Sequence, residues 1–193
     1  MSTYFIDEAG DRVGRRRRQW ASELPDVDTS GMAVLGRARW ITLAVRPSIE
    51  AVFARHGLDS GEFDTLATLL RSGPPYRLRP TELFSSMMIS SGGLTDRLGR
   101  LQRARLISRP ADSRDARSLP VQLTDEGKRI AEAAFREDMT IEAGLLDGLT
   151  EDDRRQLGEL LGRLAMSVEG KIAASAAPGD NQTTGGNTSD GQA

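Results

Sequence analysis

TELFSSMMISSGGLTDRLGRLQRARLISRPADSRDARSLPVQLTDEGKRI, residues 81–130, is the stretch that decides the fold. Pro80, just before it, suits the first position of a short helix from Pro80 to Met87, where a missing N–H costs nothing. Ser90 and Ser91 are good caps for a second helix reaching about Arg105. On that helix Leu94, Leu98 and Leu101 fall within about 60° of one another, while Gly92, Gly99, Arg100 and Arg103 lie on the far side. Leu106 to Arg109, the polar stretch PADSRDAR, and the alternating Leu119, Val121 and Leu123 then predict a β-hairpin. Pro120 lacks a ladder donor, so its strand is expected at an edge. Helix, short helix, longer amphipathic helix and hairpin, in that order, make a winged helix-turn-helix: mainly α with a small β-wing.

The chemistry of this stretch points to duplex DNA. A helix face that is small near its start and cationic further along fits a major groove about 12 Å wide, where Arg meets guanine edges or phosphates. The residues expected to meet DNA are Ser91, Gly92, Thr95, Arg100 and Arg103 on the helix, with Arg114, Asp115 and Arg117 at the hairpin tip. A protruding tip with two Arg reaches the minor groove, whose negative potential attracts guanidinium, and Asp115 is placed to orient Arg117. The competing reading is an ordinary solvated helix followed by a solvated turn, since Asp, Ser and Arg are common in both.

Outward from this stretch the chain reads as further helices. Asp59 and Glu62 are spaced as a capping box for a helix over about 60–72, whose stripe is Phe63, Leu66, Ala67 and Leu70. Ser72-Gly73-Pro74-Pro75 breaks it. Upstream, a short helix over 7–22 ends before Leu24-Pro25. Asp28 or Thr29 caps the next, which runs to about Arg55 with Pro47 expected to kink or split it, and Gly57 stops it. Downstream, Thr124 caps a helix of about 125–146 and Thr150 one of about 151–172. The last carries Leu157, Leu160, Leu161, Leu164 and Val168 in one stripe. Residues 175–193, rich in Gly, Ser, Thr and Asn, read as a disordered tail.

Composition excludes several classes. The 193 residues hold no Cys and one His, His56, which removes disulfides, thiol catalysis and His-based metal clusters. No run approaches the ~18–20 apolar residues of a membrane span. The N-terminus has charges where a signal peptide needs an apolar core, so a cytoplasmic protein, nucleoid-associated when on DNA, is expected. The P-loop, GxSxG and dinucleotide motifs are missing, so no enzyme and no cofactor are expected. The net charge of −2 hides an asymmetry: residues 71–117 carry ten Arg against four acids, a local +6. A basic segment in an acidic chain suggests a localised polyanion-binding surface.

The 81–130 stretch resembles the DNA-binding core of MarR-type transcriptional regulators. The leucine-spaced helix, Asp115-Ala116-Arg117 in the wing, and Leu123-Thr124 followed by Gly127 carry the likeness, which covers about 29–172. It implies a homodimer built from terminal helices, for which Ile41, Leu43, Val45 and the 157–168 stripe are suitable. Trp20, PDVDTSGM (25–32) and LDSGEFDTLATLLRSGPPYRLRPTELF (58–84) further resemble the PecS and urate-responsive branch, which has an extra N-terminal helix. The implied organisation is that helix over 1–24, a dimerisation region from 25–57 and 124–174, the winged helix-turn-helix over 58–123, and the tail over 175–193.

The same resemblance implies a ligand pocket of Trp20, Asp64 and Arg97, with Arg37 or Arg39 as a further candidate, and urate or a related purine as effector. The chemistry is consistent: a guanidinium pairs with a flat anion, an indole packs against it, and a carboxylate accepts its ring N–H. Each residue also has a plainer reading. Asp64 favours the helix dipole in a first turn, Trp20 staples the extra helix, and Arg97 meets phosphate. Arg15 to Arg18 read as a solvated face or an auxiliary phosphate contact. The expected partners are therefore double-stranded DNA, a small effector and a second copy of the chain, with no membrane. The alternatives are a regulator answering to a carboxylate metabolite or phenolic compound, and an effector-independent architectural DNA-binding protein.

Overall fold

A computed structural model describes residues 10–87, 93–110 and 119–176. The chain forms two compact units, Met1–Gly144 and Leu145–Ala193. The first contains α1 (Arg12–Glu23), a π-helical turn (Met32–Gly36), α2 (Arg37–Arg55), α3 (Ser60–Arg71), β1 (Arg77–Leu78), α4 (Pro80–Ser86), α5 (Leu94–Arg103), β2 (Ile107–Ser108), β3 (Val121–Leu123) and nearly all of α6 (Asp125–Leu145). The second contains α7 (Glu151–Ala176). Among the described residues no helix is long and apolar enough to cross a membrane.

Local chemistry sets most of the helix ends. At α3 the Glu62 N–H donates to Asp59 Oδ1 at 2.7 Å and the Asp59 N–H to Glu62 Oε2 at 3.0 Å, the expected capping box. Pro80 opens α4. The Gly127 N–H donates to Thr124 Oγ1 at 3.0 Å, and the Asp153 N–H to Thr150 Oγ1 at 3.2 Å. Gly57 ends α2 in the left-handed region, with φ +73°.

Other boundaries differ from the sequence reading. α1 begins at Arg12, capped by Asp11, whose Oδ1 accepts from the Gly14 N–H at 2.6 Å. α5 begins at Leu94 behind Gly93, which supplies φ +74°; Ser90 and Ser91 lie outside the described residues. α7 extends to Ala176, into the stretch expected to be tail. Pro47 does not split α2, which runs unbroken from Arg37 to Arg55. Pro removes one N–H and leaves the carbonyl four residues earlier without its helical donor. That carbonyl belongs to Leu43, an exposed residue, so the lost donor falls at the surface of the helix. The irregular winding falls earlier instead, at Met32–Gly36.

The sheet corrects a second expectation. It has three antiparallel strands in the order β1-β3-β2. Arg77 pairs with Gln122, Leu78 with Val121, Ile107 with Leu123 and Ser108 with Gln122. The strand after Pro120 is thus central, not an edge. Pro120 precedes the first rung by one residue, so its missing N–H removes no ladder bond.

The core of the first unit joins α3, α4, α5 and the sheet. Leu66, Leu69, Leu83, Leu98, Leu101 and Val121 are almost fully buried, each contributing about 1.5–3 kcal/mol of transfer free energy. Phe53 of α2 stacks on Phe63 of α3 with ring centroids 4.0 Å apart. α6 enters this core closely at Gly127, where a Cβ would lie 1.9 Å from the Leu106 carbonyl oxygen. That oxygen also accepts the Thr124 N–H at 3.1 Å. In the second unit Leu157, Leu160, Leu161 and Val168 are exposed along α7.

Candidate nucleic-acid interface and effector site

α5 has two unlike faces. Leu98 and Leu101 are buried with Arg97, while Thr95, Gly99 and Arg103 are exposed on the opposite side. The leucines dock α5 on the core and so fix which face meets solvent. The exposed Arg103 guanidinium donates from Nε to the Gly99 carbonyl at 3.3 Å. The helix closes with a Schellman turn. The Leu106 N–H donates to the Leu101 carbonyl and the Arg105 N–H to the Gln102 carbonyl, both at 3.0 Å, with Arg105 at φ +59°. α4 precedes it, and a hollow lined by Pro80, Thr81, Phe84, Leu94 and Thr95 lies between the two. Ser91, Gly92, Arg114, Asp115 and Arg117 lie outside the described residues.

Arg100 is engaged with carboxylates. Its Nε meets Glu62 Oε1 and its Nη2 meets Asp59 Oδ2, both at 2.7 Å. The hydrogen bond to Glu62 raises its pKa above the ordinary guanidinium value; desolvation opposes it, and the charges of Glu62 and Asp59 add smaller upward contributions. The two partners are the capping-box residues of α3.

Arg97 is 9% exposed and lies against the same turn of α3. A Cβ built on Gly61 would sit 2.5 Å from its Cζ, Nε and Nη2 atoms. Asp64, half-buried, is three residues beyond Gly61 and so shares that face of the helix. Trp20 stands elsewhere. It is 48% exposed and lines a hollow of about 370 Å³ with Leu24, Val27, Asp28, Thr29 and Met32; neither Asp64 nor Arg97 lines it. The structure therefore brings Arg97 to the Asp64 face of α3 and places Trp20 in a separate hollow.

Of the two further Arg candidates, Arg37 donates from Nε to Asp11 Oδ2 at 2.7 Å and from Nη1 to the Ala33 carbonyl at 2.9 Å. The hydrogen bond from Arg37, then that from the Gly14 N–H, holds the Asp11 carboxyl below its usual range. Arg39 lines a groove of about 680 Å³ with Val13, Arg16, Met32, Leu35 and Trp40. The Arg15 to Arg18 run is not uniformly solvated: Arg17 is 2% exposed, with Nε 3.4 Å from Thr29 Oγ1.

Three features are not visible in the sequence reading. Gly61 makes the space that Arg97 fills; the signal is a glycine inside a capped, amphipathic helix. The partners of Arg100 read only as caps, because pairing across 38 and 41 residues leaves no local trace. His56, which has no role in the sequence reading, ends α2 and meets Glu137 of α6, Nε2 to Oε2 at 2.7 Å, beside Arg55, which donates from Nε to Glu137 Oε1 at 2.8 Å. Among the described residues no group of three or more His, Cys, Asp and Glu side chains is placed to hold a metal ion.

Comparison with known proteins bears on this arrangement. No protein-family model matches the chain. The HTH-type transcriptional regulator PecS of Dickeya dadantii (strain 3937) is 36% identical over 147 residues, covering 76% of this chain and 89% of the relative. The HTH-type transcriptional repressor Rv2887 of Mycobacterium tuberculosis is 29% identical over 120 residues, 62% of this chain and 84% of the relative. Its crystal structure, as a MarR family protein in complex with p-aminosalicylic acid, superposes with a TM-score of 0.54 at 30% identity, covering 68% of this chain and 98% of that one. The S. aureus MepR–DNA complex superposes with a TM-score of 0.61 at 20% identity, covering 69% of this chain and 97% of that one, which shows the fold. With α4, α5 and the wing strands in place and the likeness to PecS spanning most of both chains, this protein belongs to the MarR family of winged-helix transcriptional regulators, in its PecS-like branch.

Proposed function

We propose that the chain acts as a homodimeric repressor in the cytoplasm, on a pseudopalindromic operator from which a small anionic effector releases it. The observation that carries this reading is the split of α5, with Thr95, Gly99 and Arg103 exposed opposite the buried Leu98 and Leu101. Two such faces enter successive major grooves about 34–36 Å apart when a twofold axis relates the protomers. Arg114 and Arg117 then probe the flanking minor groove, with Asp115 orienting Arg117, and Ser91 and Gly92, which precede α5 in the sequence, belong to the same DNA-meeting set. The exposed apolar row on α7 and the exposed Ile41 and Leu43 of α2 support pairing with a second copy, since rows of this kind are costly to leave in water.

The effector is urate or a related purine. Arg97 and Asp64 offer one charge-pairing group and one acceptor on adjoining elements. For release, the effector must favour the conformer that does not bind DNA, and a coupling of roughly 1–3 kcal/mol is typical. Trp20 belongs to this site only if its hollow closes on the ligand.

The experiment is operator binding with and without urate for the wild type, Asp64→Ala and Arg97→Ala. The wild type loses affinity on adding urate and both variants do not. Variants that respond like the wild type would refute the pocket. Arg103→Gln weakens DNA binding and lowers the slope of log K against log salt by about 0.9 for each phosphate it no longer neutralises.

A second effector class is favoured by one comparison. Rv2887 was solved with p-aminosalicylic acid, an aromatic carboxylate carrying a phenol. A thermal-shift panel of urate, xanthine and hydroxybenzoates separates the two classes, since a ligand at 100 times its Kd adds about 2.7 kcal/mol.

A further inference from the structure

We infer that Arg100 is a positioning residue that clamps the recognition helix α5 to the first turn of α3, and is not one of the groups that meet DNA. The inference rests on reading α5 as the DNA-facing helix. On α5 Arg100 follows Arg97 by three residues, so both stand on one flank, about 60° apart around the axis. Thr95, Gly99 and Arg103 lie round the other side. That shared flank faces α3: Arg97 covers Gly61, and Arg100 forks onto Asp59 and Glu62, two residues before Gly61 and one after. α5 is thus attached to a single turn of α3 through two successive arginines.

Charge and geometry both favour the clamp. A planar guanidinium spanning two carboxylates at 2.7 Å uses two of its N–H directions in one orientation. To reach a phosphate it would have to abandon both acids, and those acids would remain beside the DNA polyanion. A DNA-contacting Arg gains nothing from such neighbours, whereas a clamp requires them. Asp59 and Glu62 are themselves fixed by their reciprocal bonds to the α3 backbone, so the fork is anchored on rigid structure. The tilt of the Thr95/Gly99/Arg103 face is then set by where α3 begins.

The two readings predict opposite signs. Asp59→Asn with Glu62→Gln keeps both capping acceptors, because Asn and Gln serve at these positions, and removes the charges together with the two oxygens that accept from Arg100. Binding to DNA from upstream of the coding region is measured across a salt series. For a clamp, Arg100→Gln and the Asp59→Asn/Glu62→Gln double variant each weaken binding by about twofold to fivefold. The salt slope is unchanged, combining them adds little further loss, and Arg100→Lys recovers part of the affinity. For a residue that meets DNA, the double variant binds more tightly than the wild type, and Arg100→Gln lowers the slope by about 0.9 for each phosphate left without its arginine; either result overturns the proposal.

Amide hydrogen exchange on DNA-free protein judges the clamp independently of operator binding. Exchange at residues 97–103 is faster in Arg100→Gln and in the double variant than in the wild type; unchanged exchange overturns it. A wild type with no preference for its own upstream DNA over random DNA would instead refute the operator reading, and the exchange result would still decide the clamp.

Discussion

The Arg97 guanidinium occupies the space that a side chain on Gly61 would need, with three of its atoms 2.5 Å from the position of a Cβ there. Gly61 is inside α3, where Ala would raise helix propensity by up to about 1 kcal/mol. Its lack of a side chain lets a guanidinium from α5 lie flat on the α3 backbone.

Gly61→Ala therefore tests the effector site without touching either polar group. The atoms in the way are the far end of a flexible side chain, so Arg97 shifts and the fold survives. Overpacking of about 1–3 kcal/mol is partly offset by the propensity gain, and thermal melts are expected to move by only a few degrees. The response of DNA binding to urate should be reduced or lost. A Gly61→Ala protein that melts normally and answers urate like the wild type would separate Arg97 from effector sensing.

Gly127→Ala behaves differently, because the obstruction is backbone. A Cβ would come 1.9 Å from the Leu106 carbonyl oxygen, which the Thr124 N–H already uses. Relief requires α6 to move away from the turn that joins α5 to β2. Urea denaturation should show a loss of roughly 3 kcal/mol or more, at the upper end of overpacking and strain effects. A loss below about 1 kcal/mol, the ordinary size of a single-substitution effect, would contradict this packing of α6.

Arg105 holds the left-handed position of the turn after α5 without being glycine. That conformation costs an L residue about 1–2 kcal/mol. Arg105→Gly relieves the cost but adds unfolded-state entropy, so Arg105→Ala is the proper reference. Glycine should be the more stable of the two by about 1 kcal/mol, read from paired thermal or urea melts. Equal stabilities would mean that the strain is absorbed elsewhere.

Much of the architecture was legible because its determinants are local. Asp59 with Glu62, Pro80, Thr124 and Thr150 each act within one helical turn, and they mark helix starts correctly. β1 was not legible: two residues, Arg77 and Leu78, are too few to show a period of two, and without β1 the strand after Pro120 reads as an edge. Pro47 was expected to kink or split its helix, and α2 is not split: the carbonyl that Pro47 frees belongs to the exposed Leu43, and exposure is not recorded in sequence. At the candidate site, resemblance picked out Asp64 and Arg97, and the fold brings α5 and α3 together at that turn. It could not locate Trp20 relative to them, because the loop from Leu24 to Thr29 sets that distance and has no periodic signal. The engagement of Arg100 was hidden for the same reason. A helical wheel shows that a residue leaves the apolar face, not which element it then meets.

Neighbouring acids on α6 predict opposite pH dependences. Glu137 accepts from Arg55 first and His56 second, and both hydrogen bonds hold its carboxyl below the usual value of 4.5. A carboxylate with a lowered folded pKa stabilises the fold above its unfolded pKa and loses that contribution as pH falls through the folded one. Asp138, 5% exposed and with no hydrogen-bond partner for Oδ1 among the described residues, is shifted upward, first by burial and then by the charge of Glu142. A raised folded pKa reverses the sense: its relative stabilisation is complete below 3.8 and disappears as pH rises through the folded value. Unfolding free energies from urea melts between about pH 3 and pH 8 should separate the two. The wild type should exceed Glu137→Gln at neutral pH, with the gap closing below pH 4.5. Asp138→Asn should gain on the wild type as pH rises and lose that advantage in acid. Parallel profiles for the two variants would contradict both assignments, since the first requires a paired carboxylate and the second a stranded one.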